Sequence, residues 1–244
     1  MSHANPFFST HILTPELTKE ILISGSFGAE YQPIVSLKDG RLLGYEALAR
    51  FVYQGMHIPP NLFFDALHED IALFCKAESI IKAFQFAHRP KNECLYVNID
   101  PHIFQYPEGT QGLLQRLLQE ENIVVELVEN SYTTLHAKEI FDVFLSKNLT
   151  LAVDDFFQEN SMLSLYLLKA CHVLKLDRCI IHELRCDSAF SNVVRGLVAF
   201  AHAKNKTVIF EGIETEEDLL LAEALGCDGV QGFFFRPLFL THFN

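Results

Sequence analysis

The sequence predicts an α/β fold of barrel type, and three observations predict it. Short apolar runs alternate with stretches of helical period along almost the whole chain. Alternation repeated this often implies a mainly parallel sheet with helices packed outside it. The strands number eight once two opening ones are included, and eight is what a closed barrel needs. The length also fits: 244 residues suit one barrel, and no Pro-, Ser- or charge-dominated linker divides them. Residues 1–244 are therefore read as a single domain.

Taken in order, Thr14-Pro15 starts a short helix, with an N-cap followed by proline in the first turn. Residues 31–35 read as a strand, Asp39-Gly40 as a tight turn and residues 42–48 as a second strand, so the chain opens with an antiparallel pair. Six further apolar runs follow at 95–99, 123–128, 149–153, 172–176, 207–210 and 229–233. Helical periods fill roughly 62–88, 110–121, 134–147, 161–170, 188–205 and 216–225. Thr215 with Asp218 three residues on gives the last of these a capping-box-like start.

Composition excludes some functions. A formal charge of −12 argues against backbone-led binding of a nucleic-acid polymer, which needs clustered Lys and Arg. An anionic small molecule stays compatible, because bound cations can invert the local field. The six cysteines form no C-x-x-C pair, and several lie in apolar runs, which reads as reduced thiols in a reducing compartment. The N-terminus lacks a basic region followed by a long apolar one, and no uncharged run approaches membrane-spanning length. The expectation is a cytoplasmic protein with no membrane association.

The informative feature is where polar side chains interrupt the strands. Glu46 interrupts the second; Asn98, Glu126, Asp154 with Asp155, Lys175 with Asp177, Glu211 and Gln231 stand at or near the ends of the later ones. Each alone has a plain explanation, such as a turn residue, an N-cap or a surface lysine. Together they are different, since independent surface residues have no reason to fall at successive strand ends. In a parallel barrel those ends share one face, where catalytic residues collect. Several carboxylates there would repel one another unless a cation sat among them. Oxygen-rich donors without His or Cys suit hard cations such as Mg²⁺ or Mn²⁺. A pair of such ions roughly 3.5–4 Å apart is the usual arrangement for displacement at phosphorus.

The residues that carry this pattern also carry a resemblance. Tyr31-Gln32-Pro33-Ile34-Val35, Gly44-Tyr45-Glu46-Ala47-Leu48-Ala49-Arg50, Val97-Asn98-Ile99 and Glu126-Leu127-Val128-Glu129 come first. Val153-Asp154-Asp155-Phe156, Leu174-Lys175-Leu176-Asp177, Glu211-Gly212-Ile213-Glu214-Thr215 and Gln231-Gly232-Phe233 follow. Across about 29–238 the chain resembles the EAL domain family of cyclic di-GMP phosphodiesterases. The resemblance implies a modified TIM-like (βα)8 barrel with an antiparallel first strand, in agreement with the hairpin at Asp39-Gly40. It implies hydrolysis of cyclic di-GMP to linear pGpG with two divalent metal ions, Mg²⁺ or Mn²⁺. Glu46, Asn98, Glu126 and Asp154 would hold one ion, and Asp154, Asp155 and Glu211 the other, with water between them as nucleophile. Glu46, Lys175 and Glu211 thus form the expected catalytic set, with Lys175 orienting the nucleophile and offsetting phosphoryl charge. Arg50 would grip a phosphate, Gln32, Asp177 and Gln231 would line the pocket, and Glu129 would anchor the loop after the paired aspartates.

That loop departs from the family, which has Asp-Asp-Phe-Gly-x-Gly. Here Phe157 and Glu159 replace both glycines. Where glycine serves a positive φ, a bulky residue is expected to force another path. In the family this loop supports metal binding and the dimer interface, so the resemblance allows a homodimer. The substituted loop keeps a second reading open beside the enzyme: a catalytically weak or inactive domain that binds cyclic di-GMP or a protein partner as a regulator.

Overall fold

Local sequence signals set the opening elements in a computed structural model that describes residues 13–68, 70–128, 137–158 and 164–244. Helix α1 (Pro15–Ile23) begins as expected, with Thr14 Oγ1 accepting from the Leu17 amide at 3.3 Å and Pro15 in the first turn. Strands β1 (Phe27–Ser36) and β2 (Leu42–Tyr53) make the antiparallel hairpin, with Gly40 at φ 69° in its turn. A short edge strand not read from the sequence, β3 (Met56–Ile58), folds back on β2. The helix expected over 62–88 is two helices, α2 (Pro60–Asp65) and α3 (Ile71–His88). The interruption comes at Asp70, whose carboxylate accepts from the Leu73 amide at 3.0 Å and starts α3 afresh.

From there strands and helices alternate. In order come β4 (Leu95–Asn98), α4 (Pro107–Gln119), β5 (Ile123–Val128), α5 (Ala137–Ser146), β6 (Thr150–Phe156), α6 (Leu165–Ala170) and β7 (Val173–Leu176). Two helices, α7 (Cys179–Cys186) and α8 (Phe190–Ala203), then precede β8 (Thr207–Phe210). The first of them was missed because it is short and starts from a side-chain contact, Asp177 Oδ1 accepting from the Cys179 amide at 2.8 Å. The chain closes with α9 (Glu216–Leu225), β9 (Gly229–Val230) and β10 (Leu240–Phe243); α9 carries the capping box of Thr215 and Asp218.

Eight strands form a closed ring in the order β1, β2, β4, β5, β6, β7, β8, β9 and back to β1. All neighbours run parallel except β1, which is antiparallel to both β2 and β9. Strand β10 continues the sheet outside the ring by pairing with residues 28–31 of β1.

Two apolar layers position everything else. Helices and outward strand faces share one large core, and a second, smaller cluster of Ile34, Tyr96, Val124, Ala152, Val173 and Ile209 plugs the barrel interior. Fully burying a side chain of this size contributes about 1.5–3 kcal/mol. Side chains alternate along a strand, so the residue two positions on faces inward again. Two past Tyr96, Val124, Ala152, Val173 and Ile209 stand Asn98, Glu126, Asp154, Lys175 and Glu211. On the antiparallel β1 the same step runs backwards, from Ile34 to Gln32. The plug thus sets one floor, and a ring of polar groups lies directly above it.

Candidate active site at the open end of the barrel

Lys175 is the hub of that ring. It is fully buried, and its Nζ lies 2.7 Å from Glu126 Oε1, 2.7 Å from Glu211 Oε1, 2.9 Å from Asp154 Oδ1 and 3.2 Å from Glu46 Oε2. The reading of Lys175 as a surface side chain therefore fails. Glu46 has two further donors: Asn98 Nδ2 at 2.7 Å on Oε1, and Gln231 Nε2 on Oε2. Gln231 in turn reaches Gln32 Oε1 at 3.4 Å.

The adjacent aspartates pose a problem that the strand solves locally. Regular alternation would send Asp154 and Asp155 to opposite faces of the sheet. Between the pairs Val153↔Leu174 and Phe156↔Leu176, however, β6 spends two residues against one on β7. This is a bulge, and Asp155 takes a left-handed φ of 54° within it. Both carboxylates consequently line the same cavity. Two groups of three carboxylates result, Glu46 with Glu126 and Asp154, and Asp154 with Asp155 and Glu211. In each, one oxygen per residue lies within 4.8 Å of the others, and Asp154 belongs to both.

The charges do not cancel. An ammonium has three protons, and four carboxylates surround it. Glu126 Oε1 and Oε2 and Asp154 Oδ1 lack a hydrogen bond of good geometry despite their closeness to Lys175. Burial pushes Glu126 well above the usual carboxylate range, and the charge of Glu46 adds to it. Burial, then Asp154, does the same to Glu211, while burial together with Asp154 and Asp177 pushes Asp155 to about 7. Glu46 goes the other way: burial raises it, but Lys175, Gln231 and Asn98 outweigh that and leave it below its ordinary value. Lys175 is pulled down by burial and lifted well above its ordinary value by the four acids. Five carboxylates with one ammonium and orphaned oxygens fit divalent cations, and an all-oxygen carboxylate set fits hard ones.

Two cavities meet at these acids. One of about 270 Å³ is lined by Gln32, Asp177, Glu211 and Gln231. The other, of about 480 Å³, reaches Asn98, Phe64 and His102; both touch Glu46, Asp154 and Asp155.

The EAL domain family model matches residues 16–237, most of the chain. The chain belongs to the EAL domain family. Among curated relatives of this EAL domain, the cyclic di-GMP phosphodiesterase RocR of Pseudomonas aeruginosa is 26% identical over 235 residues, which cover 91% of this chain and 60% of RocR. The cyclic di-GMP phosphodiesterase PdeL of Escherichia coli is 25% identical over 240 residues, covering 93% and 66%. The chain spans 32% and 29% of two other curated relatives, which are several times longer. Among solved structures, the PaMucR phosphodiesterase in complex with c-di-GMP shares the fold, with a TM-score of 0.74, 24% identity and coverage of 89% of this chain and 93% of its own.

The remaining expected residues of this EAL domain are placed unevenly. Arg50 lines neither cavity; its guanidinium donates to Glu30 at 2.6 Å and to the Ala49 carbonyl at 2.9 Å. Glu30 also accepts from Gln32 at 2.9 Å, so it orients two expected substrate groups at once. The sequence reading missed Glu30, although a charged residue directly before the apolar run of β1 was its signal. Arg178 and Glu214, also missed, line the smaller cavity. Glu129 and Glu159 lie outside the described residues.

Phe157 overturns one expectation. Far from forcing another path, it keeps the left-handed conformation itself, at φ 71°. Such a conformation costs about 1–2 kcal/mol for a non-glycine residue. The ring offsets this by packing edge-on against Phe156 and Phe190, with centroids 5.0 and 6.0 Å away, and the Phe157 carbonyl accepts from Cys179 Sγ at 2.9 Å. Phe157→Gly is therefore expected to release the strain but lose the aromatic packing. The melting temperature should stay level or fall by a few degrees and turnover should not rise. A clear gain in kcat would show that the phenylalanine holds the aspartates badly.

Proposed function

We propose that this EAL domain hydrolyses cyclic di-GMP to linear pGpG with two divalent ions, Mg²⁺ or Mn²⁺. The observation that carries the proposal is the pair of carboxylate groups sharing Asp154. The similarity to RocR and PdeL, both cyclic di-GMP phosphodiesterases, supports it. Glu46, Asn98, Glu126 and Asp154 would hold one ion, and Asp154, Asp155 and Glu211 the other. When bound, such ions lower the pKa of water and polarise a phosphoryl oxygen.

The chain's own residues do the rest. Lys175, fixed by burial and four acids, presents a positive charge that needs no reorganisation as negative charge develops at phosphorus. Gln231 and Asn98 hold Glu46 in place by donating to its two oxygens. Gln32, Asp177 and Gln231 line the side on which a substrate would rest, and Arg50, with donors beyond those given to Glu30 and Ala49, would meet a phosphate. Two cavities meeting at the acids leave room for the parts of a cyclic dinucleotide on either side of the reacting phosphate.

Cys75, Cys94, Cys171, Cys186 and Cys227 are free thiols, which fits a cytoplasmic setting, and no helix among the described residues is long and apolar enough to cross a membrane. Incubation with cyclic di-GMP, followed by product separation, tests the proposal. Turnover is expected with Mg²⁺ or Mn²⁺, to stop with chelator and to return when the ion is restored. Undiminished turnover after exhaustive chelation would refute the ion assignment. Tight binding without any product would establish the regulatory reading instead.

A further inference from the structure

One cluster of metal-competent side chains has no part in that chemistry. His68 lies in the turn between α2 and α3, and Asp100 and His102 follow β4. His68 Nε2 is 2.9 Å from Asp100 Oδ2, and His102 Nδ1 is 2.7 Å from Asp100 Oδ1. The two imidazole rings stack with centroids 4.0 Å apart. One ligand atom from each of the three residues lies within 4.8 Å of the others. Zinc bonds near 2.0–2.1 Å put tetrahedral ligand atoms roughly 3.3 Å apart. Small side-chain adjustments would therefore admit an ion.

A second observation points the same way. Glu78 of α3 is 2% exposed and lines the same cavity as Asp100 and His102. Its Oε2 has no hydrogen-bond partner, and the ammonium of Lys82 stands 3.7 Å away, too far to supply one. A buried carboxylate left short in this way is stabilised by added positive charge nearby. On the other side of His68, Asp65 Oδ1 lies 4.0 Å from Nδ1, beyond hydrogen-bond reach, and adds a negative charge beside that imidazole.

We propose that His68, Asp100 and His102 bind a divalent cation of the zinc class at the edge of the larger cavity, separate from the oxygen-only pair. Two imidazoles and one carboxylate select borderline cations such as Zn²⁺ and Co²⁺ over Mg²⁺. Three protein ligands leave a position open to solvent or to a group in the cavity. The ion would tie the turn before α3 to the segment that carries Asn98 out of β4. The site does not depend on whether the domain turns over cyclic di-GMP.

The test uses the full chain, stripped with chelator and held in excess Mg²⁺ so that the oxygen-rich sites are filled. Titration with Co²⁺ is expected to give one equivalent with the strong visible absorption of an imidazole-ligated ion. In His68→Gln/His102→Gln that equivalent should disappear, with affinity reduced about a hundredfold or more, since even an outer partner is worth 10–100-fold. Zn²⁺ should raise the melting temperature of the parent and not of the variant. Cobalt held by the exposed Cys186 and His182, 3.6 Å apart, would persist in both proteins and cancel in the difference. Should the double variant fail to fold, Asp100→Asn carries the same expectation, because it keeps an oxygen for the His102 amide that Asp100 now caps at 2.9 Å. Equal stoichiometry and equal spectra in parent and variant would overturn the proposal and leave the three residues as a hydrogen-bonded brace.

Discussion

Lys175→Ala is expected to lower kcat for cyclic di-GMP by about 10²–10³-fold or more while changing KM little. A fixed ammonium aimed at developing charge acts mainly in the transition state, and losing one such group costs that much. The same substitution should expose the balance of charge in the barrel. It leaves Glu46, Glu126, Asp154 and Glu211 around an empty centre. Breaking a buried ion pair from one side costs about 3–5 kcal/mol. The variant should therefore melt well below the parent in chelator, and divalent ions should recover much of the difference by binding the folded form. Single-turnover rates, substrate affinity and melting with and without ions check this. A large loss of affinity at unchanged kcat would make Lys175 a substrate-binding residue.

Glu46→Ala and Asp154→Ala are each expected to reduce turnover by orders of magnitude at limiting metal, because each removes a proposed ligand. Their effects on ion-free stability should have opposite signs. Glu46 is held below its ordinary pKa, so its ionised form stabilises the fold at neutral pH, and that contribution is lost as pH falls through the folded-state value. Removing it also takes an acceptor from the amides of Asn98 and Gln231, where a buried group left unsatisfied costs about 1–3 kcal/mol. Asp154 is raised by burial and by Glu46, with Lys175 only partly offsetting them, so its ionisation works against the fold. Asp154→Ala should leave the chelated protein as stable as the parent or more so. Melting curves at neutral pH in chelator decide the signs. Near-parental turnover in either variant would refute the ligand assignment.

Much of this was legible in the chain. Strand–helix alternation, the Asp39-Gly40 turn and the caps at Thr14 and Thr215 are local signals, and each acts where it stands. The short strands β3 and β10 and helix α7 were not legible, because pairing partners and a side-chain contact create them rather than their own periodicity. The helix expected over 62–88 failed for a local reason that was present and overlooked, namely the capping aspartate at 70.

The site divides in the same way. The sequence by itself determined which residues carry charge at strand ends, and the period of two then placed Asn98, Glu126, Asp154, Lys175 and Glu211 one step above an apolar residue on the inner face. It could not determine that closing the ring would bring three of those acids, together with Glu46, within 3.2 Å of one ammonium. Nor could it show that an extra residue in β6 would turn Asp155 to the same side as Asp154, since regular alternation says the opposite. Phe157 makes the same point, because the cost of its left-handed backbone is offset by neighbours such as Phe156 and Phe190 beside it. Side-chain chemistry and strand period are properties of short segments. Mutual repulsion, burial and the cost of a strained φ depend on neighbours that only the closed barrel supplies.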